Sequence, residues 1–130
     1  MNFSIEELTY SPTAIKNHID NTPNDEIRQN LEKLIYTILQ PIRDEFKRPI
    51  KVNSGYRCKE LNTLVGGSKT SQHVKGEAAD ITSSDNRKLW NLIVSMIKDG
   101  KIQVGQLINE KNLSWIHISL GQKNQIFSVK

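Results

Sequence analysis

Residues 71–82 read Ser-Gln-His-Val-Lys-Gly-Glu-Ala-Ala-Asp-Ile-Thr, a polar loop that continues into a short apolar strand. The loop carries an imidazole at His73, and the strand carries a carboxylate at Asp80. A carboxylate flanked by Ala79 and Ile81 is costly to bury unless it is paired or bound to a metal. This stretch therefore predicts a strand that holds a polar site against an apolar interior.

The segments on either side predict helices and further strands. Apolar residues spaced by threes and fours over 25–47 predict an amphipathic helix, which Pro41 should kink or break near Leu39 and Gln40. A second helix is predicted over 86–98, with Asp85 as its cap. Turn and alternation signals predict shorter elements: helical turns near 11–18 and 58–64, and strands near 50–53, 78–82, 103–109, 115–120 and 125–129.

This order of elements and the composition define the class of protein. Helices followed mainly by strands predict an α+β fold, with helices packed on one face of a small antiparallel sheet. The chain has 130 residues, of which 36% are hydrophobic and 25% charged, as expected for one globular domain spanning residues 1–130. No apolar run approaches the roughly 20 residues of a membrane span. Because Glu6 and Glu7 stand where a secretory signal would carry basic residues, we expect no such signal. Cys58 is the only cysteine, which excludes an internal disulfide framework.

The net charge of +4 raises the question of a nucleic-acid partner. The basic residues are scattered, however, and no run of them is interleaved with aromatic residues. We therefore expect no nucleic-acid partner and no membrane insertion. A mild positive charge suits steering toward anionic polymers, including bacterial cell-wall material.

A second imidazole lies in an alternating strand, Trp115-Ile116-His117-Ile118-Ser119. If Ile116 and Ile118 face the core, His117 points to the opposite side of the sheet. His73, Asp80 and His117 together offer two nitrogens and one oxygen, which leaves one tetrahedral position open, as in a catalytic zinc site. The alternative is a core histidine and a capping aspartate without a metal. His18 has no such partners and is interpreted as a solvated surface histidine.

The motifs in their order along the chain resemble those of a known family. Ser71-x-His73-x-x-Gly76-x-Ala78-x-Asp80, preceded by Ser54-Gly55-Tyr56-Arg57 and Asn62 and followed by residues 115–119, resembles the zinc D-Ala-D-Ala carboxypeptidases and related murein peptidases. The helix before Ser54 is similar to that of the compact carboxypeptidase branch, so the resemblance covers nearly the whole chain. It implies a hedgehog/DD-peptidase-like fold with a cleft on the sheet. It also implies one Zn²⁺ per chain, with His73, Asp80 and His117 as its ligands.

The catalytic base is where the sequence departs from the better-known branches. Those branches place a glutamate three residues before the last histidine ligand, where this chain has Ser114. The nearest upstream acid is Glu110, on the predicted hairpin over 106–119. If Glu110 pairs opposite Trp115, it shares a face with His117, whereas a slip of one residue would turn it away. The resemblance favours the first register and Glu110 as base, and Glu77 is the alternative.

Four further residues are candidates for substrate contacts. The resemblance implies that Arg57 faces the site, where a guanidinium can stabilise an oxyanion or bind a carboxylate. The alternative is a surface arginine that packs on Tyr56. Ser71 is expected to contact substrate or to orient His73, although a plain loop hydrogen bond is the alternative. Tyr56 and Trp115 are expected to line the cleft, with a place in the core as the alternative. Cys58 is interpreted as incidental, since nothing marks its thiol as activated.

The resemblance implies a zinc metallopeptidase that hydrolyses stem peptides of bacterial peptidoglycan. It could be a D-Ala-D-Ala carboxypeptidase or a murein endopeptidase like the phage endolysins. Because Ser114 stands at the usual glutamate position, a catalytically inactive, zinc-containing wall-binding module is the alternative. The expected partner is peptidoglycan or a muropeptide, and the expected state is a monomer. The sequence does not distinguish action on the wall, outside the cell or by phage delivery, from action on cytoplasmic precursors.

Overall fold

The computed structural model describes residues 1–130 and contains six α-helices. They are α1 (Ile5–Thr9), α2 (Pro12–Lys16), α3 (Asp25–Leu34), α4 (Gln40–Phe46), α5 (Lys59–Leu64) and α6 (Asn86–Lys98). A 3-10 turn, Gln72–Lys75, precedes the second strand. Not one of the helices has both the length and the apolar character that crossing a membrane demands.

The helix predicted over 25–47 forms, and Pro41 interrupts it as expected. Helix α3 runs into a π-helical segment, Ile35–Leu39, and α4 follows without a break in the chain. In the π-helical segment the N–H of Gln40 bonds back to the carbonyl of Ile35, five residues earlier. Proline has no N–H, so Pro41 cannot donate the regular helical hydrogen bond to a carbonyl one turn earlier. The wider π-helical turn directly before Pro41 accommodates this loss without ending the helix. The helix then ends at Lys47, which adopts a left-handed conformation with φ of 61°.

Helix α1 is the one helix that the sequence did not predict. The Ser4 hydroxyl accepts a hydrogen bond from the N–H of Glu7 and so caps its first turn. Leu8 is fully buried, and Phe3 lies in the same core. A single turn with one buried residue has no periodicity to detect, so its stability depends on tertiary packing.

The five strands form one sheet in the order β1-β2-β4-β3-β5. They are β1 (Lys51–Ser54), β2 (Ala78–Thr82), β3 (Gln106–Glu110), β4 (Trp115–Ser119) and β5 (Gln125–Val129). The pairs among β1 to β4 are antiparallel, whereas β5 is parallel to β3. The predicted α+β class is confirmed, and the parallel edge is its one departure. Strand β4 already pairs with β2 and β3, so β5 cannot pair with it and instead pairs with β3 at the edge of the sheet.

The two faces of the sheet differ in character. Val52, Ala79, Ile81, Leu107, Ile116 and Ile118 lie against the helices, in or directly against an apolar core cluster of 22 buried residues. The alternate residues, among them Asp80, Ile108 and His117, lie on the opposite face. Segment 55–77, between β1 and β2, contributes residues to the same cleft as that second face. The predicted packing of helices on one face is therefore confirmed, and the other face is left to form a site.

Candidate metal centre and cleft

Three elements bring His73, Asp80 and His117 together. His73 is in the 3-10 turn, Asp80 in β2 and His117 in β4. Asp80 and His117 are directly opposite each other in the β2–β4 ladder and therefore share a face. The Oδ1 atom of Asp80 lies 3.3 Å from Nε2 of His73 and 3.1 Å from Nδ1 of His117. The donor atoms of the three residues all lie within 4.8 Å of one another.

His73 is held from behind by the backbone. Its Nδ1 lies 2.7 Å from the carbonyl oxygen of Gly55, and the side chain is almost completely buried. Gly76 ends the 3-10 turn with φ of 71°, a left-handed conformation in which glycine is unstrained. A Cβ at Gly76 would lie 2.7 Å from Cγ2 of Ile27 on α3. The glycine of the motif therefore permits close packing of the 3-10 turn on α3.

The donor set fits a tetrahedral metal ion. A carbonyl oxygen only accepts, so Nδ1 of His73 carries the proton in its bond to Gly55. In the neutral ring, Nε2 then presents a lone pair to a carboxylate oxygen 3.3 Å away, which is repulsive unless a cation lies between them. Zinc bonds of about 2.0–2.1 Å at tetrahedral angles place neighbouring ligand atoms roughly 3.3 Å apart. The two distances measured from Asp80, 3.3 and 3.1 Å, agree with that spacing.

The charge on Asp80 is stabilised in this setting. Burial by itself would raise the pKa of Asp80, but in the metal-free protein the imidazoles of His117 and His73 can donate to the carboxylate when they are protonated, and this outweighs burial and holds the pKa well below its usual range. The carboxylate is therefore ionised at neutral pH, which a metal ligand requires.

A cleft of about 570 Å³ surrounds the three donor residues. All of the predicted site residues except Tyr56 line it: Arg57, Ser71, His73, Asp80, Glu110, Trp115 and His117. The volume is within the range of roughly 300–1,000 Å³ typical of small-ligand sites. The structure thus brings the sequence-predicted residues to one place.

Glu110 reaches this cleft because of the hairpin register. Glu110 is opposite Trp115 and Ile108 is opposite His117, so the register expected from the sequence is confirmed. Glu110 and His117 consequently share the cleft face of the sheet. Ser114 is an exposed residue of the turn, and its hydroxyl donates to the carbonyl of Lys111. Glu77, the residue directly before β2, does not line the cleft.

The turn that follows Glu110 is unusual and well anchored. Lys111, Asn112 and Leu113 have φ angles of 46°, 57° and 59°, a left-handed conformation that costs energy for residues with a Cβ. The N–H of Leu113 donates to Oδ1 of Asn109, and the side-chain amide of Asn86 donates to the carbonyl of Leu113. These bonds connect the turn to β3 and to the start of α6. They fix the hairpin that sets the position of Glu110.

Arg57 is held in the cleft wall by three hydrogen bonds from its guanidinium group. Its Nε donates to Oδ1 of Asn62 at 3.2 Å, and its terminal nitrogens donate to the hydroxyls of Ser54 at 3.4 Å and Ser71 at 3.3 Å. Burial lowers the pKa of Arg57, and the nearby carboxylate of Asp80 opposes that shift. An arginine with so high an ordinary pKa still stays charged at neutral pH. The side chain is therefore a cation that hydrogen bonds hold in place in the same cleft as the three donor residues.

Of the two aromatic residues predicted to line the cleft, only one does so. Trp115 lines the cleft, and its buried indole Nε1 has no hydrogen-bond partner in the protein. Tyr56 is only 7% exposed and belongs to the core cluster, so the prediction that it lines the cleft is corrected. Its backbone N–H bonds to the carbonyl of Leu8, and the ring is buried while Arg57, the next residue, takes the place in the cleft wall. An aromatic ring gains more from burial in the core than from exposure in a polar cleft.

Several residues of the site were not singled out from the sequence. Ser68, Thr70, Gln72, Gln106 and Ile108 complete the cleft lining. Ile108 and Gln106 could have been identified, because every second residue of β3 counted back from Glu110 faces the same side of the sheet. Gln72 has no such signal beyond its position beside His73, yet its Oε1 lies 3.2 Å from Nε2 of His117.

Comparison with known families agrees with this geometry. A family model described as Peptidase M15 matches residues 1–119, which include α1 through β4 and all three donor residues. No match to a curated protein was found. The match covers far more than half of the chain and confirms, at the level of the family, the resemblance that the sequence motifs indicated. The chain therefore belongs to the peptidase M15 family.

Proposed function

We propose that this protein is a zinc-dependent peptidase that hydrolyses stem peptides of bacterial peptidoglycan, as a D-Ala-D-Ala carboxypeptidase or an endopeptidase. The observation that carries the proposal is the convergence of His73, Asp80 and His117 in a cleft that Glu110 and Arg57 also line. We further propose that residues 1–130 act as one monomeric domain with a peptidoglycan fragment as partner.

His73, Asp80 and His117 would hold the zinc ion and leave one tetrahedral position free. A zinc ion bound there supplies Lewis acidity, which polarises a peptide carbonyl and makes water a stronger acid. Two imidazoles and one carboxylate give the bound ion a net positive charge, which favours this chemistry. The Gly55 carbonyl and the β2–β4 ladder keep the donors in place before substrate arrives.

Glu110 is the proposed general base. Its carboxylate takes a proton from the attacking water and returns that proton to the nitrogen of the leaving amine. The proposal rests on position, because Glu110 shares the cleft face with His117 and no other glutamate lines the cleft.

Arg57 is proposed to bind negative charge on the substrate. After its bonds to Ser54, Asn62 and Ser71, the guanidinium retains free N–H donors. Those donors can bind the developing oxyanion or a terminal carboxylate of the stem peptide. Ser71 bonds both Arg57 and the backbone N–H of His73, so it connects the charge-binding residue to the ligand turn.

Digestion of purified peptidoglycan tests the proposal. The zinc-loaded protein is expected to release D-alanine or to generate new free amines within the stem, as detected by mass spectrometry of the muropeptides. A chelator-treated sample serves as the control and should release neither product. The masses of the products identify the bond that is cut.

The same experiment distinguishes the proposed enzyme from the alternative, a wall-binding module. Zinc-loaded protein that sediments with peptidoglycan but releases no product would be a wall-binding module rather than an enzyme. The enzyme is supported over that module because the cleft contains a glutamate, Glu110, although Ser114 lies in a turn outside it. Protein that neither binds nor cleaves peptidoglycan would overturn both.

A further inference from the structure

We infer that Gln72 is a positioning residue for His117: its side-chain oxygen accepts a hydrogen bond from Nε2–H and so keeps the Nδ1 lone pair turned toward Asp80 and His73. The inference rests on the proposed zinc site. It concerns a residue that lines the cleft without being one of the three donors.

The two nitrogens of His117 have different neighbours. Nδ1 lies 3.1 Å from Oδ1 of Asp80, the same oxygen that lies 3.3 Å from His73. Nε2 lies 3.2 Å from Oε1 of Gln72. The point where the three donors converge is therefore on the Nδ1 side of the ring, and Gln72 is on the other side.

A neutral imidazole has one N–H and one lone pair, and a metal requires the lone pair. If Nδ1 is the ligand, the proton must be on Nε2, where it needs an acceptor because His117 is only 9% exposed. The carbonyl oxygen of the Gln72 side chain supplies that acceptor. The opposite orientation of the amide would present an N–H to Nε2 and leave the proton on Nδ1, where it would obstruct the metal.

The two histidines are therefore fixed by different means. His73 presents Nε2 to the site because its Nδ1 bonds to a backbone carbonyl, that of Gly55. His117 presents Nδ1 because a side chain bonds its Nε2. Gln72 and His73 are neighbours in one 3-10 turn, so this turn supplies one ligand and orients another. Unlike the backbone contact, the Gln72 contact can be removed by mutation.

Zinc affinity and the histidine tautomer together test the inference. Competition with a chromophoric chelator should show that Gln72→Leu binds zinc about 10–100-fold more weakly than the original protein, the usual effect of removing a partner of a metal-bound histidine. Gln72→Glu keeps an acceptor oxygen and should stay within about threefold of the original affinity. Gln106→Leu is the matched control, because Gln106 also lines the cleft but its amide bonds to Gln125. Its zinc affinity should change by less than about twofold.

Nuclear magnetic resonance of ¹⁵N-histidine-labelled, zinc-loaded protein supplies the second measurement. His117 should show a proton on Nε2 and a metal-shifted Nδ1, and this Nε2 proton should exchange faster with solvent in Gln72→Leu. A proton on Nδ1 overturns the inference even if Gln72→Leu fails to fold. So does equal zinc affinity in Gln72→Leu and the original protein, or an equal loss in Gln106→Leu. Failure of the original protein to bind zinc is a different result, which overturns the proposed function itself.

Discussion

The two faces of strand β4 show how one short segment serves two purposes. Ile116 and Ile118 are fully buried in the core, while His117 lies between them on the cleft face. The core face is apolar and packed against helices, whereas the cleft face carries the donor atoms and the charges. Because neighbouring residues point to opposite sides, stability and chemistry depend on alternate positions of the same strand. This separation can be tested by changing adjacent residues one at a time.

The largest effect is expected on the cleft face, at a proposed metal ligand. His117→Ala removes one of three donors and should weaken zinc binding by more than about 100-fold, the upper end of what an outer hydrogen bond alone contributes. Peptidoglycan hydrolysis should fall below detection, while the circular dichroism spectrum keeps its folded form. Elemental analysis after dialysis measures the metal content. Zinc retained at one ion per chain by His117→Ala would place the site elsewhere.

A smaller effect on zinc binding is expected at Glu110, the proposed general base, because it is not one of the proposed metal ligands. Glu110→Gln should keep one zinc ion per chain and lower kcat by about 10²–10⁴-fold, the usual contribution of a general base. Glu77→Gln is the matched control, since Glu77 does not line the cleft, and it should remain within about twofold of the original kcat. The reverse outcome, with Glu77→Gln inactive and Glu110→Gln active, would assign the base to Glu77.

Local patterns in the sequence, such as the alternation of residues along a strand, explain why many features of this site could be predicted. The alternation around His117 determines which side of the sheet it faces, and the turn over 111–114 fixes its register against Glu110. The interruption of the long helix near Pro41 could be predicted because proline has no backbone N–H to donate. These features depend on local geometry that the order of residues specifies directly. The family resemblance then indicated which of the polar residues belong together.

Features that depend on contacts between distant segments could not be predicted in this way. Helix α1 is stabilised by the burial of Leu8, and Tyr56 lies in the core through packing that its own neighbours do not specify. The contact between Gln72 and His117 joins residues 45 positions apart. Nothing in the residues around either one encodes that contact, because it arises from where the 3-10 turn lies over the sheet.

The smallest effect on the chemistry is expected on the core face, one residue from the proposed metal ligand His117. Ile116 is fully buried and lies opposite Ile81 on β2. Ile116→Ala should lower the free energy of unfolding by about 2–5 kcal/mol, because the change leaves a cavity in the core, and the milder Ile116→Val should lower it by about 0.5–1.5 kcal/mol. Chemical denaturation of the metal-free protein measures both. The folded fraction of each variant should keep its zinc and its kcat, since Ile116 points away from the cleft. Loss of zinc from fully folded Ile116→Ala would show that packing on one face controls the donor geometry on the other.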